Sequence, residues 1–173
     1  MNNGLTGADI LQLKDISNRL IHDRTQADVD YALTCESEGI YTVENLRGAY
    51  NISDRNRVGE AVNFIVDCLK SVGVFEASPN IIRQNWGVYD IVKPRDNQKV
   101  LESLTKLKQL LPYNKTLSVP DNLDGLTYQR ANAVESIICD LYGVFTRLWD
   151  SWMYCNDGYM SDFDPFNRQD WDD

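Results

Sequence analysis

The chain has 173 residues, 43% of them hydrophobic, and a formal net charge of −9. This length and apolar content suit one domain with its own core. The negative charge argues against general nucleic-acid binding, which depends largely on Lys and Arg neutralising phosphates, and no local basic cluster is apparent. No apolar run approaches the roughly 20 residues needed to cross a bilayer. We therefore expect neither a nucleic-acid nor a membrane partner.

The cysteines are scattered. Cys35, Cys68, Cys139 and Cys155 contain no CxxC pair, and His22 is the single histidine. This pattern favours free, buried thiols over disulfides or a zinc site. We predict no metal and no cofactor.

The N-terminal part begins with a flexible arm over 1–7, rich in Asn and Gly. Apolar residues at helical spacing then predict a helix over about 8–22. Thr25 followed by Asp28 is typical of a capping box and predicts a short second helix. One further helical turn is predicted over 43–49.

The segment 50–73 has the most complete helix signal in the chain. Ser53 is predicted as its N-cap, and Gly73 as a left-handed residue that ends it. One face is apolar and is expected to be buried: Val58, Val62, Ile65, Leu69 and Val72. The opposite face is polar and is expected to meet solvent: Arg57, Glu60, Asn63, Asp67 and Lys70.

After Gly73 the helical period stops, and an extended or loop segment is predicted over 74–92. Trp86 and Tyr89 within it are expected to cover helix ends. A further helix is predicted to begin at Pro94 and to end at Pro112.

The longest periodic segment follows a proline-containing surface linker. Thr127 is its predicted N-cap, and its apolar stripe continues to about Trp152. Three such stripes, with the first helix alongside, predict a mainly α fold: a bundle of three to four helices over 8–152. A coiled coil with neighbouring subunits is the alternative.

The C-terminal segment 153–173 holds six aspartates and one arginine. It cannot build a core, but its aromatic residues favour docking on a partner surface over a frayed polar end. The predicted partner-binding residues are Tyr154, Tyr159, Phe163, Phe166 and Trp171.

Two helix starts are similar. Asn56 and Asn132 each follow a cap, lead into an apolar stripe and precede a glutamate closely. An Asn at this position can bond the incoming loop and fix where it crosses. The alternative is that both helices simply begin with similar turns.

Motifs for catalysis are missing from the sequence. It contains no nucleophile elbow, Walker loop, dinucleotide-binding glycine pattern or HExxH. His22 is expected on a helix surface, and the carboxylate pairs on solvated faces. We predict no catalytic residue and no enzymatic activity.

Several segments together resemble a family of small structural proteins of Firmicutes phages and prophages. The family pattern runs approximately DRTxADV, GAYNxxDLNRVxxAVxYL, a tryptophan in an extended segment, LTYxxANxIExxL and a glycine-containing aromatic motif. The matching segments here are DRTQADVDYA (23–32), GAYNISDRNRVGEAVNFI (48–65), the Trp86 region, VPDNLDGLTYQRANAVESIICDL (119–141) and WMYCNDGY (152–159).

The resemblance covers about Asp23 to Tyr159, and the chain departs from it at Arg55, where the family has Leu, and in its longer acidic tail. It implies a non-catalytic virion protein near the tail tip, baseplate or fibre attachment, assembled in the bacterial host cytoplasm. The implied partners are other virion proteins, in a symmetric assembly with several copies. A head–tail connector ring protein and a cytoplasmic assembly chaperone are the alternatives.

Overall fold

The computed structural model describes residues 5–40, 46–71, 73, 82–110 and 118–155. This part of the chain contains five helices and no strand, which confirms the prediction of a mainly α fold. The helices are α1 (Gly7–Asn18), α2 (Gln26–Ser37), α3 (Ile52–Ser71), α4 (Pro94–Leu110) and α5 (Tyr128–Cys155).

Four of these helices form the bundle. Helix α1 packs on α3 and α5, while α3, α4 and α5 all pack on one another. The predicted stripes supply the core, which includes the fully buried side chains of Leu13, Ile65, Leu104, Ile137 and Leu141. Helix α2 buries only Ala32 and Cys35 and lies outside the bundle.

Helices α3 and α5 run in the same direction. Arg24, which follows α1, contacts Asp54 and Glu135 near their starts. Earlier in the chain, Arg19, the residue directly after α1, pairs with Glu60, and Ser17 in the last turn of α1 contacts Cys139. Residues earlier in the chain thus contact residues later in α3 and α5. Helix α1 is therefore antiparallel to both of these helices.

Helix α4 also runs parallel to α3. Asn97 near its start accepts a hydrogen bond from Arg55 Nη1 at 2.9 Å. Near the other end, burial raises the pKa of Asp140 in the middle of α5, and Lys108 of α4 is among the charges that oppose this rise. Both ends of α4 therefore follow the course of its neighbours. A 20-residue helix is about 30 Å long, so the chain must return over that distance before each new parallel helix can begin. This requirement explains the long connections before α4 and α5.

The starts of α1 and α2 have the same chemistry. Thr25 and Asp28 form the predicted capping box, and Thr6 with Asp9 forms an equivalent box on α1. Because Thr6 is a cap and Gly7 begins α1, the predicted arm over 1–7 reaches too far. Residues 1–4 lie outside the described part.

Helix α3 is capped by a different residue from the one predicted. Asn51 Oδ1 accepts from the backbone N–H groups of Ser53, at 2.9 Å, and Asp54, at 3.3 Å. Asp54 Oδ2 accepts from the Asn51 N–H in return, at 2.8 Å. Ser53 lies inside the first turn, so its prediction as N-cap is wrong, because the Asn51 amide oxygen, two residues earlier, occupies that role.

Other boundaries differ by a few residues. Helix α1 ends at Asn18, because the chain turns there and places Arg24 against Asp54 and Glu135 near the starts of α3 and α5. Within the segment 43–49, the described residues form a turn closed by the Ala49 N–H on the Leu46 carbonyl at 3.1 Å, which corrects the predicted helical turn. Gly73 has a φ of 75°, as expected for a left-handed helix end.

Two predicted helix starts agree with the structure. Helix α4 begins at Pro94, and the Thr127 hydroxyl accepts from the Arg130 N–H at the start of α5, at 3.3 Å. Helix α5 continues to Cys155 and so includes the start of the segment predicted as an extended tail. The helix end near Pro112 lies outside the described residues.

The thiols of Cys35 and Cys68 are free and buried, and that of Cys139 is free and half-buried. Burial, helped by Asp9 and Asp67, raises the pKa of Cys68 to about 12. Because the thiolate is the reactive form, iodoacetamide at pH 8 should alkylate Cys68 at least about a hundredfold more slowly in the native chain than in the denatured chain. Peptide mapping by mass spectrometry measures this ratio, and equal rates would contradict the burial.

Candidate interaction site

The chain returning from α3 lies directly along that helix. The Asn63 side chain accepts from the Ile82 N–H at 3.0 Å and donates to the Ile82 carbonyl at 2.7 Å. Two turns earlier in α3, the Asn56 side chain accepts from the Trp86 N–H at 2.7 Å and donates to the Trp86 carbonyl at 3.1 Å. Each amide thus satisfies both backbone groups of one residue in what we call the return segment, residues 82–86.

Gly59 lies between these two asparagines and allows the close approach. A Cβ atom at this position would lie 2.6 Å from the Arg83 carbonyl oxygen. Asn63 lies seven positions after Asn56, two helical turns or about 10 Å along α3, and an extended chain covers this distance in three to four residues. The distance between the two asparagines therefore matches the four-residue separation of Ile82 and Trp86.

The Trp86 ring closes this surface. Its residue is 9% exposed, and its Nε1–H donates to the Arg83 carbonyl at 3.1 Å. The Arg83 guanidinium lies 4.4 Å from the ring centroid, a cation–π distance. Trp86 thus covers the first half of α3, which agrees with the predicted covering role.

A small cleft lies beside the tryptophan, lined by Tyr50, Arg55 and Lys99 among others. Its volume is about 60 Å³, and a water molecule takes about 30 Å³ in the liquid. The cleft therefore has room for one or two waters. The Arg55 guanidinium lies 5.7 Å from the Tyr50 ring centroid and donates a hydrogen bond to Asn97.

Beyond the return segment, a tight turn presents apolar side chains to solvent. The Asp90 N–H donates to the Gly87 carbonyl at 3.0 Å, and Asp90 Oδ2 accepts from the Gly87 N–H at 2.6 Å. Val88, Tyr89 and Ile91, which we call the tip, are 82%, 99% and 83% exposed. The prediction that Tyr89 covers a helix end is wrong, because the turn directs it away from the bundle.

The tip has a rigid support. Asp90 forms an ion pair with Arg83 at 2.6 Å, and Arg83 itself stacks on the anchored Trp86. Isolated exposed apolar residues are common on proteins, but three within four residues on a braced turn form a patch.

The chain around the tip is basic, in contrast to the whole protein. Residues 82–99, which hold the tip and the first turns of α4, contain four Lys and Arg against two Asp, a net charge of +2. Lys93 and Arg95 next to the tip are exposed, and in the described part of the chain their side chains form no salt bridge. Sequence inspection missed this region because its charges are interspersed with acidic residues.

A second feature, the buried charge cluster, consists of Arg24, Asp54, Arg57 and Glu135. The Arg24 side chain is fully buried, and its Nη2 lies 2.9 Å from both Asp54 Oδ1 and Glu135 Oε1. Arg57 pairs with Asp54 and lies 3.6 Å from Glu135 Oε2. Its side chain is only 12% exposed, which corrects the prediction of a solvent-facing Arg57.

The cluster joins two loops to two helix starts. Arg24 also donates to the backbone carbonyls of Ile21 and Arg47, and Glu135 accepts from the Ile21 N–H at 2.6 Å. Burial raises the pKa of Glu135 despite the opposing effects of Arg24, the Ile21 N–H and Arg57. Two positive and two negative groups balance, so no net charge is buried.

Asn132 bonds both backbone groups of one residue, as Asn56 does. Its side chain accepts from the Arg24 N–H at 3.0 Å and donates to the Arg24 carbonyl at 2.8 Å. Both asparagines therefore bond a crossing loop, and within the described residues neither bonds the loop that enters its own helix. The segments 23–32, 48–65 and 119–141, which are far apart in sequence, meet at this cluster.

The remaining predicted site residues belong to the C-terminal segment. Tyr154 falls in the last turn of α5, and its side chain lies outside the described part, as do Tyr159, Phe163, Phe166 and Trp171. Among the described residues, no group of three His, Cys, Asp or Glu side chains is arranged to hold a metal ion. In the same part of the chain, no helix has the length and apolar character to span a membrane.

Comparison with family models, with curated proteins and with solved structures gave no match to this chain.

Replacing Asn56 with aspartate should loosen the return segment. The carboxylate can still accept from the Trp86 N–H, but it would face the Trp86 carbonyl without a proton to donate. We expect a loss of about 1–2 kcal/mol in the free energy of unfolding and faster hydrogen exchange at the Trp86 amide. Asn85→Asp, the same change at a neighbouring exposed position, is the control and should have little effect.

Proposed function

We propose that this protein is a non-catalytic structural component of a phage or phage-like particle. In this role it acts as a rigid adaptor near the tail tip, baseplate or fibre attachment. The observation that carries the adaptor role is the tip, three large apolar side chains exposed on a turn that is braced against α3. Such patches on soluble proteins typically mark surfaces that bind other proteins.

The placement in a particle is supported by the sequence resemblance. The segments that carry it supply the buried charge cluster and all three asparagines that bond a crossing loop, Asn56, Asn63 and Asn132. They are therefore the segments that brace the tip and hold the helix starts together. A scaffold that must hold its shape among neighbours benefits from such fixed loop crossings.

Mass spectrometry of purified particles tests the proposal, with the host lysate as the reference. We expect the chain in mature particles at a fixed copy number. Its presence in assembling lysates and absence from particles would instead indicate an assembly chaperone. In a particle map, threefold or sixfold symmetry at this protein supports the tail position, and twelvefold symmetry would indicate a connector ring.

The tip variant Val88→Ser, Tyr89→Ser, Ile91→Ser tests the adaptor role. All three positions are exposed, so helical content and unfolding midpoint should remain unchanged while incorporation into particles falls. The matched control changes three exposed apolar residues elsewhere, Leu11→Ser, Tyr31→Ser and Leu33→Ser. Normal incorporation of the tip variant would overturn the adaptor role.

A further inference from the structure

The C-terminal segment 156–173 has a composition complementary to the surface around the tip. Residues 156–173 contain six aspartates, one arginine and four aromatic residues, a net charge of −5. The region 82–99 has a net charge of +2 and carries the exposed tip. One segment is acidic and aromatic, and the other is basic and apolar.

We propose that residues 156–173 of one copy bind the tip of a second copy, so that copies associate head to tail. The aromatic side chains pack against Val88, Tyr89 and Ile91, and the aspartates lie beside Lys93 and Arg95. A segment of this composition cannot form a core alone, but it can order on a complementary surface.

The direction of the helices favours a second copy over the same one. The tip lies beside the first half of α3, where Asn56 holds Trp86. Helix α5 begins near that end and runs parallel to α3, so Cys155 lies 20 residues, about 30 Å, beyond Glu135. The donor segment thus leaves from the end of the bundle opposite the acceptor surface. Tyr159 is four residues after Cys155 and can lie at most about 14 Å from the end of α5. It therefore cannot reach the tip of its own copy, and all four aromatic residues can bind a tip together only on a second copy.

A contact between unlike ends of identical copies is heterologous. It repeats from copy to copy and produces a ring if the rotation closes, or a filament if it does not. The inference rests on the proposed docking role of the tip but does not depend on where the protein lies in a particle.

Sedimentation velocity of the full chain over a concentration series tests the association. We expect oligomers that grow with concentration and dissociate at high salt, because charge pairs at an interface are screened. The tip variant should remain monomeric, while the Leu11, Tyr31 and Leu33 control variant should associate normally. Lys93→Glu with Arg95→Glu should raise the dissociation constant about tenfold or more, and Lys14→Glu, an exposed charge on α1, should not.

A mixing experiment distinguishes head-to-tail association from other modes. A tail variant changes four aromatic residues, Tyr159→Ser, Phe163→Ser, Phe166→Ser and Trp171→Ser. Tip and tail variants should each be monomeric alone, but their equimolar mixture should form a dimer and nothing larger. One intact surface from each copy makes one contact, and no further contact is then available.

Several outcomes would overturn the inference. These are a wild-type chain that stays monomeric at every concentration, a tail variant that associates normally, or a mixture that stays monomeric. Flotation of the wild-type chain, but not the tip variant, with vesicles of anionic phospholipid would assign the tip to a membrane surface instead. If particle incorporation depends on the tip while self-association does not, the adaptor role stands and the head-to-tail inference fails.

Discussion

Replacing Arg24 with alanine should lower the free energy of unfolding by about 3–5 kcal/mol, the largest effect that we expect of a single polar substitution. The Arg24 side chain is fully buried between Asp54 and Glu135. Without it, two buried carboxylates keep only Arg57 as a positive partner. Domains of this size are stable by about 5–15 kcal/mol, so much of the stability would be lost. Urea unfolding followed by circular dichroism measures the change.

The matched control is Arg19→Ala. Arg19 also joins α1 to α3, through Glu60 at 2.9 Å, but its side chain is 44% exposed. Exposed ion pairs contribute about 0–1 kcal/mol. If both variants lost similar stability, the buried charge cluster would not be the main interaction that holds the loops to the starts of α3 and α5.

The Arg24 variant should also respond to pH in a defined direction. Arg24 is the strongest of the groups that lower the pKa of Glu135, so its removal should raise that pKa further. A carboxyl group with a raised folded-state pKa holds a proton that the unfolded chain has released. Relative to the wild type, the variant should therefore be least destabilised at acidic pH and should lose stability as pH rises through the folded-state pKa of Glu135. A flat pH difference between variant and wild type would contradict this mechanism.

Replacing Gly59 with alanine should destabilise the protein by up to about 3 kcal/mol and release the return segment. The new Cβ would lie 2.6 Å from a backbone carbonyl of Arg83, which cannot move without breaking the Asn56 and Asn63 contacts. Hydrogen exchange at the Ile82 and Trp86 amides, together with the unfolding midpoint, measures the effect.

Gly143→Ala is the control for Gly59→Ala. Gly143 lies inside α5, and a Cβ there would meet nothing within 4 Å. Alanine should therefore stabilise that helix by about 0.5–1 kcal/mol through its higher helix propensity. Stabilisation of both variants would show that the return segment can shift freely.

The Gly59→Ala variant also tests the proposed function, because the return segment supports the tip. If Gly59→Ala releases the return segment, the tip loses its support while its side chains stay unchanged. Incorporation into particles should then fall as it does for the tip variant. Gly143→Ala should leave incorporation intact.

The amino-acid sequence alone determined the helices and their buried faces, because periodicity and capping act within a few residues. The capping box of Thr25 and Asp28, the left-handed Gly73 and the apolar stripes of α3, α4 and α5 all follow from such local patterns. It also singled out Asn56 and Asn132, although not their partners.

Only the tertiary structure decided which polar residues are buried and which apolar residues are exposed. Arg57 lies on the polar face of α3, yet it is buried because Arg24 and Glu135 arrive there from other parts of the chain. Tyr89 is apolar enough for a core, yet the turn from Gly87 to Asp90 projects it into solvent. Both outcomes depend on the parallel course of α3 and α5 and on the return of the chain along Gly59. These arrangements are set by contacts between residues up to 122 positions apart, which no local pattern encodes.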